Sequence, residues 1–310
     1  LRQHQFAWVH CQSPIGGALA RLAGHRLRVP MLYTAHGFHF YKGAPLFHWL
    51  LYYPAEKLLA RWTDVLVTVN QEDFRFARRR LRAGKVCYIP GVGVDTERFL
   101  EKTPQNIRKR YHIPKDASIL LSVGELSRRK NHAAVIRALA DMQETNVYYL
   151  ICGQGAQKSR LQALARKLGV AGRVRFAGYQ GSLAPFYQHA DLFVFPSFQE
   201  GLPVALMEAM AAGMACVVSD IRGNRELIDE HGGIRFPCRR LGRRQEPELA
   251  DAVKQLLFDH ARRQGCGRYN RQKIKAFSLD KARGRMEQIY RSFDRHCNRN
   301  AALRQGQVRE

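Results

Sequence analysis

Two glutamates stand eight positions apart in a segment of this chain that is otherwise uncharged. Glu200 and Glu208 lie within the segment 195–213, FPSFQEGLPVALMEAMAAG. Carboxylates accept hydrogen bonds from hydroxyl groups, so the pair could hold a hydroxyl-rich ligand. The alternative is a chance spacing, in which one carboxylate only complements the positive end of a helix dipole.

A strand and a helix must position these carboxylates. The run 191–195, DLFVF, has strand character, and Gly201, Leu202 and Pro203 are predicted to begin a helix with proline in its first turn. Glu200 is therefore predicted at the carboxyl end of the strand, beside the helix N-terminus. Ligands bind at that edge in doubly wound sheets, and the unpaired N–H groups of a helix start favour anions such as phosphate.

The whole string resembles the signature of family 4 glycosyltransferases, because Glu200 and Glu208 fall in PS-x-x-EG…EAMA-x-G between two strand-like runs. Members of that family are retaining enzymes of the GT-B fold that use nucleotide sugars. The resemblance implies an α/β protein with two Rossmann-like domains facing across a cleft. It also implies that Glu200 stabilises the transferred sugar or its developing positive charge, and that Glu208 holds the ribose hydroxyls. Gly201 and Leu202 would belong to the same nucleotide-sugar site.

Composition indicates a globular protein with an anionic partner. The 310 residues suffice for two domains, and 51 Lys and Arg against 26 Asp and Glu give a formal net charge of +25. The seven cysteines are odd in number, scattered and without a Cys-x-x-Cys pair. They are therefore interpreted as reduced thiols of a cytoplasmic protein, not as a disulfide framework or a zinc site.

The basic residues concentrate in three places. They are 75–85, the group Arg239, Arg240, Arg243 and Arg244, and the tail after Arg291. No helix-turn-helix, RNP-like string or zinc finger accompanies them, and stacking aromatics are not interleaved, so no specific nucleic-acid binding is predicted. A solvated or membrane-facing surface is favoured instead. The prediction is a cytoplasmic protein held peripherally on the inner face of the plasma membrane, with 75–85 as the lipid-facing helix.

Ten short apolar runs alternate with amphipathic stretches, which is the pattern of βα units around parallel sheets. Six of the runs follow residue 118, enough for a whole domain, and four precede residue 98. The resemblance then implies that the first half of the N-terminal domain is absent and the chain is truncated. The predicted division is 1–100 for a partial acceptor-side domain, 101–117 for a linker, 118–277 for the nucleotide-sugar domain, 278–296 for a helix crossing back onto the first domain, and 297–310 for a basic disordered tail.

The segment 123–131, VGELSRRKN, follows the first strand of the second domain, where a Rossmann fold has its phosphate loop. By resemblance Gly124 belongs to this site and Lys130 contacts the diphosphate. The family's usual Gly-Arg is replaced by Gly-Glu here, so the missing charge is expected from Arg128 or Arg129. Without an Asp-x-Asp motif no metal and no other cofactor is expected. Lys130 and the helix start would neutralise the leaving group.

Three further positions rest more on the resemblance than on local pattern. His36 matches a family histidine that meets the transferred sugar or the acceptor, against the alternative of an ordinary packed or surface histidine. Gly178 and Tyr179 follow a predicted strand and match the loop beside the nucleotide base, although Tyr179 could be ordinary surface packing. The aromatic-rich stretch 44–54 is either a core helix or a lipid-facing surface, and the core is favoured.

The expected function is transfer of a hexose or N-acetylhexosamine from a nucleoside diphosphate, uridine being favoured, to a lipid-linked or polysaccharide acceptor in cell-surface glycan synthesis. Strings such as YTAHGFHFY and GELSRRKNH resemble the capsule and exopolysaccharide branch of the family. One alternative is a nucleotide-sugar-binding fragment without catalysis. A less favoured one is a basic nucleic-acid-binding protein.

Overall fold

A computed structural model describes most of the chain, and the chain divides into two compact units. The described residues are 6–41, 43–99, 101, 103–238 and 245–306, with side chains as far as residue 299. Unit 1 comprises residues 1–93 and 280–310, and unit 2 comprises residues 94–279. The predicted basic cluster at 239–244 lies outside the described residues.

Unit 1 contains a four-stranded parallel sheet in the order β1-β2-β3-β4. Its elements are β1 (Val9–Cys11), α1 (Pro14–Leu27), β2 (Met31–Ala35), α2 (Leu46–Ala60), β3 (Val65–Thr68), α3 (Gln71–Arg80) and β4 (Lys85–Tyr88). Each strand lies one place further along the sheet than its predecessor. Since βαβ crossovers are right-handed, α1, α2 and α3 cover the same face.

The core of unit 1 forms between that face and the helix layer. Tyr33, Leu66 and Ala77 are buried there, with Trp49 and Tyr53 of α2 packed against them. The prediction that 44–54 is a core helix is only half right, because the side of α2 opposite Trp49 is exposed. A helix that is apolar all round buries one side when only one layer covers it.

Unit 2 is a doubly wound sheet of six parallel strands in the order β10-β9-β8-β5-β6-β7. Its strands are β5 (Ser118–Val123), β6 (Val147–Cys152), β7 (Val174–Gly178), β8 (Leu192–Phe195), β9 (Cys216–Ser219) and β10 (Gly233–Phe236). Its helices are α4 (Ile107–Arg110), α5 (His132–Asp141), α6 (Lys158–Lys167), α7 (Ala184–His189), α8 (Val204–Ala211), α9 (Arg222–Leu227), α10 (Glu246–Phe258) and α11 (His260–Lys273). The direction of winding reverses between β5 and β8, so this pair is the topological switch point.

The last helix, α12 (Leu279–Gly306), returns to unit 1, where Tyr290 and Phe293 contact the Trp8 ring. It extends well beyond the predicted end at 296, so most of the tail expected to be disordered is helical. The run 301–305, AALRQ, contains good helix formers and no glycine or proline, which explains the continuation. Residues 307–310 lie outside the described part.

The stretch 101–117, predicted to be a linker, belongs to unit 2. It contains α4, and Ile107 and Ile113 are buried there.

All seven cysteines are free thiols. Within the described ranges, no helix is both long and apolar enough to cross a membrane.

Candidate active site

Two loops meet at the switch point of unit 2. One follows β5 and the other follows β8, and three hydrogen bonds to backbone carbonyl oxygens join them. The Phe198 N–H donates to the Arg129 carbonyl oxygen at 2.9 Å, the Arg129 guanidinium donates to the Gln199 carbonyl oxygen at 2.9 Å, and the Asn131 amide donates to the Pro196 carbonyl oxygen at 3.3 Å. The loops therefore form one backbone-linked surface at the carboxyl ends of β5 and β8.

The Glu200 carboxylate lies at the centre of this surface between two cations. Its Oε1 atom is 2.9 Å from Lys130 Nζ and 2.9 Å from the Arg129 guanidinium. The side chains of Lys130 and Glu200 are only 11% and 9% exposed. Lys130 Nζ also lies 4.6 Å from the centroid of the Phe195 ring. Two residues predicted for one site, Lys130 and Glu200, are thus in direct contact.

The second cation that contacts Glu200 is Arg129 and not Arg128. The sequence left open which of the two supplies the missing positive charge, because it does not show which of two adjacent arginines points toward Glu200. In the structure Arg128 lines a separate cavity beside α5 and α6, and Arg129 bonds Glu200. Neighbouring loop residues point in different directions, so only one of them reaches the carboxylate.

Glycines allow the loop after β5 to pass close to its neighbours. Gly124 has φ +152°, and a Cβ placed there would lie 3.1 Å from Lys130 Cε. Gly153 and Gly155, at φ +150° and +156°, pack directly against the backbones of Gly124 and Leu126. A side chain at any of these positions would displace the loop that carries Lys130.

A buried polar chain that sequence reasoning missed anchors this loop. The Tyr149 hydroxyl donates to Ser122 Oγ at 2.9 Å, and the Ser122 hydroxyl donates to the Val194 carbonyl oxygen. His132 Nδ1 lies 3.0 Å from the Tyr149 hydroxyl and its Nε2 lies 3.3 Å from the Glu125 carbonyl oxygen. Burial lowers the pKa of His132 to about 4, so its imidazole is neutral at neutral pH. The only sequence signal was a histidine at a helix start.

Glu208 lies on α8, which begins later than predicted. The first helical residue is Val204, and Pro203 precedes it in an extended conformation, so Gly201 and Leu202 form the turn before the helix. A residue that precedes proline is disfavoured in helical conformation, which explains the late start. Gly223 packs against the Gly201 carbonyl group.

The Glu208 carboxylate is partly buried. It accepts a hydrogen bond from the Tyr187 hydroxyl at 2.9 Å. Burial raises the pKa of Glu208, and the bond from Tyr187 and the charge of Arg98 oppose that rise. A carboxylate with one oxygen held by the protein retains capacity to accept bonds from a ligand hydroxyl.

The backbone of Glu200 has a further partner that the sequence did not reveal. Arg222, at the start of α9, donates from Nε to the Glu200 carbonyl oxygen at 3.3 Å. The hydroxyl of Ser219, at the end of β9, donates to the Ser197 carbonyl oxygen in the same loop. The β9 edge therefore supports the loop that carries Glu200.

Gly178 and Tyr179 lie at the end of β7, two strands from β5. Gly178 has φ +72° and its carbonyl oxygen accepts from the Gly153 N–H at 2.8 Å. Tyr179 is 74% exposed. An exposed ring at the carboxyl edge of the sheet is available for stacking on a base.

His36 belongs to unit 1 and directly follows β2. Its Nε2 atom lies 3.2 Å from the Gln12 side-chain oxygen. Burial lowers the pKa of His36, which favours the neutral imidazole. Among the described residues, no cluster of three or more His, Cys, Asp or Glu has the arrangement of a metal site.

Comparison with known protein families identifies the family to which the chain belongs. Residues 104–273, more than half of the chain, match the family described as glycosyl transferases group 1, and residues 1–98 match glycosyltransferase family 4. The chain belongs to these glycosyltransferases. The family predicted from the glutamate motif is therefore confirmed.

Relatives of this chain include two bacterial proteins that are named as glycosyltransferases. It is 41% identical over 234 residues to EpsD of Bacillus subtilis (strain 168), a protein named as a glycosyltransferase. The matched region covers 73% of this chain and 61% of that relative. The chain is 28% identical over 238 residues to the Escherichia coli UDP-Gal:alpha-D-GlcNAc-diphosphoundecaprenol alpha-1,3-galactosyltransferase, covering 74% and 61%. The chain thus spans about three fifths of the length of these two relatives.

Solved structures of glycosyltransferases share the fold. Anabaena HepE in complex with UDP and glucose superposes with a TM-score of 0.80 at 18% identity, covering 94% of this chain and 79% of that one. Sucrose-phosphate synthase from Thermosynechococcus elongatus gives 0.76 at 23%, covering 93% and 74%. With the two parallel sheets, these likenesses confirm the predicted α/β architecture of the GT-B class.

Proposed function

We propose that this chain binds a nucleoside-diphosphate sugar at the switch point of unit 2 and transfers a hexose or N-acetylhexosamine with retention of configuration. The observation that carries the proposal is the contact between Lys130 and Glu200, at 2.9 Å and almost fully buried. A shielded carboxylate and a shielded ammonium at the carboxyl edge of a doubly wound sheet match the two charges of the reaction. Those charges are a diphosphate that leaves and a sugar carbon that becomes positive.

The ion pair gives an order to the events on this chain. When the diphosphate arrives, Lys130 and Arg129 exchange the Glu200 carboxylate for phosphate oxygens. The released carboxylate then faces the sugar, where it stabilises positive charge in the transition state. The cations neutralise the negative charge that grows on the leaving nucleotide, so we propose that transfer proceeds without a metal ion.

The remaining predicted residues would bind the nucleoside. Glu208 accepts hydrogen bonds from the ribose hydroxyls, because one of its oxygens is held by Tyr187 and the other remains available. Gly178 and Tyr179 lie beside the base, and Gly124, Gly201 and Leu202 shape the phosphate site. Arg128 is not part of this site, and His36 is assigned to the sugar or acceptor side.

Uridine is the proposed nucleoside and a cell-surface glycan the proposed product. The E. coli relative is named for UDP-Gal and a diphosphoundecaprenol-linked acceptor, and HepE is named in complexes with UDP and UDP-glucose. Other relatives are named for lipopolysaccharide core and teichuronic acid biosynthesis. These names support a UDP-sugar and a lipid-linked or polysaccharide acceptor, in the capsule or exopolysaccharide branch.

An anionic membrane surface is the proposed partner of unit 1, on the inner face of the plasma membrane. The bidentate ion pair between Arg21 and Glu56 ties α1 to α2, and Phe76 of α3 packs against Trp49 and Tyr53 of α2. The exposed side chains of this layer include a group of apolar residues on α1 and α2 and a group of arginines on α3, namely Ile15, Leu19, Leu22, Leu46, Phe47, Leu50, Leu51, Leu58, Arg75, Arg78, Arg79 and Arg80. An apolar strip beside a basic helix matches a bilayer with anionic headgroups.

Calorimetry with UDP and transfer of labelled sugar from UDP-sugars to a lipid-linked acceptor test the proposal together. Saturable UDP binding with turnover is the expected result. Binding without turnover would identify a nucleotide-sugar-binding fragment. Absence of UDP binding, together with RNA or DNA binding that persists at moderate salt, would favour a nucleic-acid-binding protein and reject the assignment.

A further inference from the structure

A cavity opens in unit 2 beside the loop that follows β5, where Ser127 and Arg128 contribute to its lining. Its volume is about 680 Å³, and it lies between α5 and α6 with Phe198 at one end. Among the described residues that line it there is neither Lys130, Glu200, Glu208 nor Gly178. It therefore lies beside the proposed nucleotide-sugar site, sharing Asn131 and Phe198 of the two joined loops but none of these four residues.

Four cations surround this cavity, which we name the α5/α6 cavity. They are Arg128, Arg137, Arg160 and Lys167, and its described lining contains no Asp or Glu. Within the described residues, only Arg137 of these four forms an ion pair, with Glu246 at 3.7 Å. In the part of the chain that the structure describes, the other three form no ion pair. Like charges gathered around a concave surface focus a positive potential into it.

The lining also offers a hydrogen-bond donor and an apolar floor. The hydroxyl oxygen of Ser127 is buried and has no hydrogen-bond partner among the described residues, although most buried hydroxyls in proteins are bonded. Leu161, Leu164 and Phe198 supply apolar surface in the same cavity. Clustered cations, an unsatisfied hydroxyl and an apolar floor together suit a ligand that has a compact anionic group and a less polar remainder.

We propose that the α5/α6 cavity binds a phosphate-bearing anion at a site distinct from that of the nucleotide sugar. Arg160 and Lys167 lie seven positions apart on one side of α6, and Arg128 and Arg137 face them from the β5 loop and α5. Guanidinium groups bind phosphate with bidentate hydrogen bonds, and Ser127 adds a neutral donor. The phosphate belongs either to a soluble ion or to the headgroup of a lipid, whose chains the apolar floor would accept.

The test is titration of the purified chain with inorganic pyrophosphate, with and without saturating UDP. One saturable pyrophosphate site that persists under UDP is expected. The variant Arg160→Gln/Lys167→Gln should weaken that site by about tenfold or more, because it removes two cations that donate charge-assisted hydrogen bonds to phosphate. Lys158→Gln/Arg166→Gln removes the same charge from the same helix outside the cavity, and should leave the affinity within about twofold, as surface substitutions usually do.

A parallel titration with dihexanoyl phosphatidic acid, a soluble short-chain lipid, distinguishes the two sources of phosphate. Tighter binding than pyrophosphate identifies a lipid headgroup, and equal or weaker binding identifies a soluble anion. Equal weakening by both double variants, or loss of the pyrophosphate signal on addition of UDP, would overturn the proposal. Failure of UDP itself to bind would reject only the proposed function, because the pyrophosphate titration and its variants need no UDP.

Discussion

Lys130 Nζ and Glu200 Oε1 lie 2.9 Å apart, so the proposed phosphate cation and the proposed catalytic carboxylate neutralise each other in the absence of substrate. Under the proposed function, the nucleotide breaks this contact when it binds. The pair therefore links nucleotide binding to the release of the carboxylate. Removing the charge of Glu200 and removing the charge of Lys130 should change the affinity for the nucleotide in opposite directions.

Glu200→Gln should bind UDP several-fold more tightly, because a charge that competes with phosphate is lost. It should transfer sugar at least about 100-fold more slowly, because a contact in the transition state is lost. Lys130→Gln should instead weaken UDP binding by about tenfold or more, since a charged hydrogen bond contributes roughly 1.5–3 kcal/mol. Calorimetry and initial rates measure the two quantities. Glu230→Gln, at an exposed carboxylate, is the matched control. Full transfer activity in Glu200→Gln would reject the assigned role.

Gly124→Ala should weaken UDP binding by about tenfold, because an alanine at φ +152° is strained by roughly 1–3 kcal/mol and its Cβ would press on Lys130 Cε. Gly172→Ala is the control, since a Cβ there meets no atom within 4 Å. Calorimetry with UDP compares the two proteins, and thermal unfolding checks their folding. Equal affinity in both variants would show that the loop tolerates a side chain.

The pH dependence of UDP binding should report on Glu208. Its pKa is raised by burial, so as pH falls the carboxylate is neutralised earlier than an ordinary glutamate and its acceptor for ribose is lost. The ratio of wild-type to Glu208→Gln affinity, measured from neutral to acid pH, removes the titration of the phosphate itself. Tyr187→Phe should move this loss to higher pH, because the Tyr187 bond holds the pKa of Glu208 down. An unchanged profile in Tyr187→Phe would contradict the assignment.

Acid should destabilise unit 2 through His132. Its pKa falls from 6.5 to about 4 on folding, so the unfolded chain binds more protons between these values and stability is lost as pH falls through them. The full effect is roughly 3 kcal/mol. Urea unfolding of wild type and His132→Gln from pH 6.5 to 4 measures it, and the variant should lose less stability. His231→Gln, at an exposed histidine, should follow the wild type. Parallel curves for all three proteins would contradict the prediction.

Vesicle binding should depend on the exposed side of α2. Phe47→Ser/Leu50→Ser should reduce flotation with phosphatidylglycerol vesicles by about tenfold or more, since burying each side chain contributes roughly 1.5–3 kcal/mol. Phe258→Ser/Leu168→Ser makes the same change on exposed side chains of unit 2 and should have no effect. Arg75→Gln/Arg78→Gln should weaken binding most at low salt. Equal loss in the two serine variants would reject the surface on unit 1.

The sequence by itself determined the family and the elements, and it predicted for one site two residues that the structure brings into contact. All ten predicted strands are present among the described residues, because an apolar run bounded by turns is a local property. Glu200 and Lys130 could be placed near each other because each follows a strand of the same parallel sheet. The helix start at Gly201 was wrong by three residues, since Pro203 restricts the turn before it.

Only the tertiary structure decided which side chains meet. The order of β8 beside β5 brings Glu200 to Lys130 across 70 residues, and hydrogen bonds between their loops select Arg129 over Arg128. The exposed side of α2 and the network of His132 were equally hidden, because burial depends on which layer covers a helix. Lys130 and Glu200 were predicted as separate members of one site, and the structure adds that they form an ion pair, which opens on nucleotide binding in the proposed function.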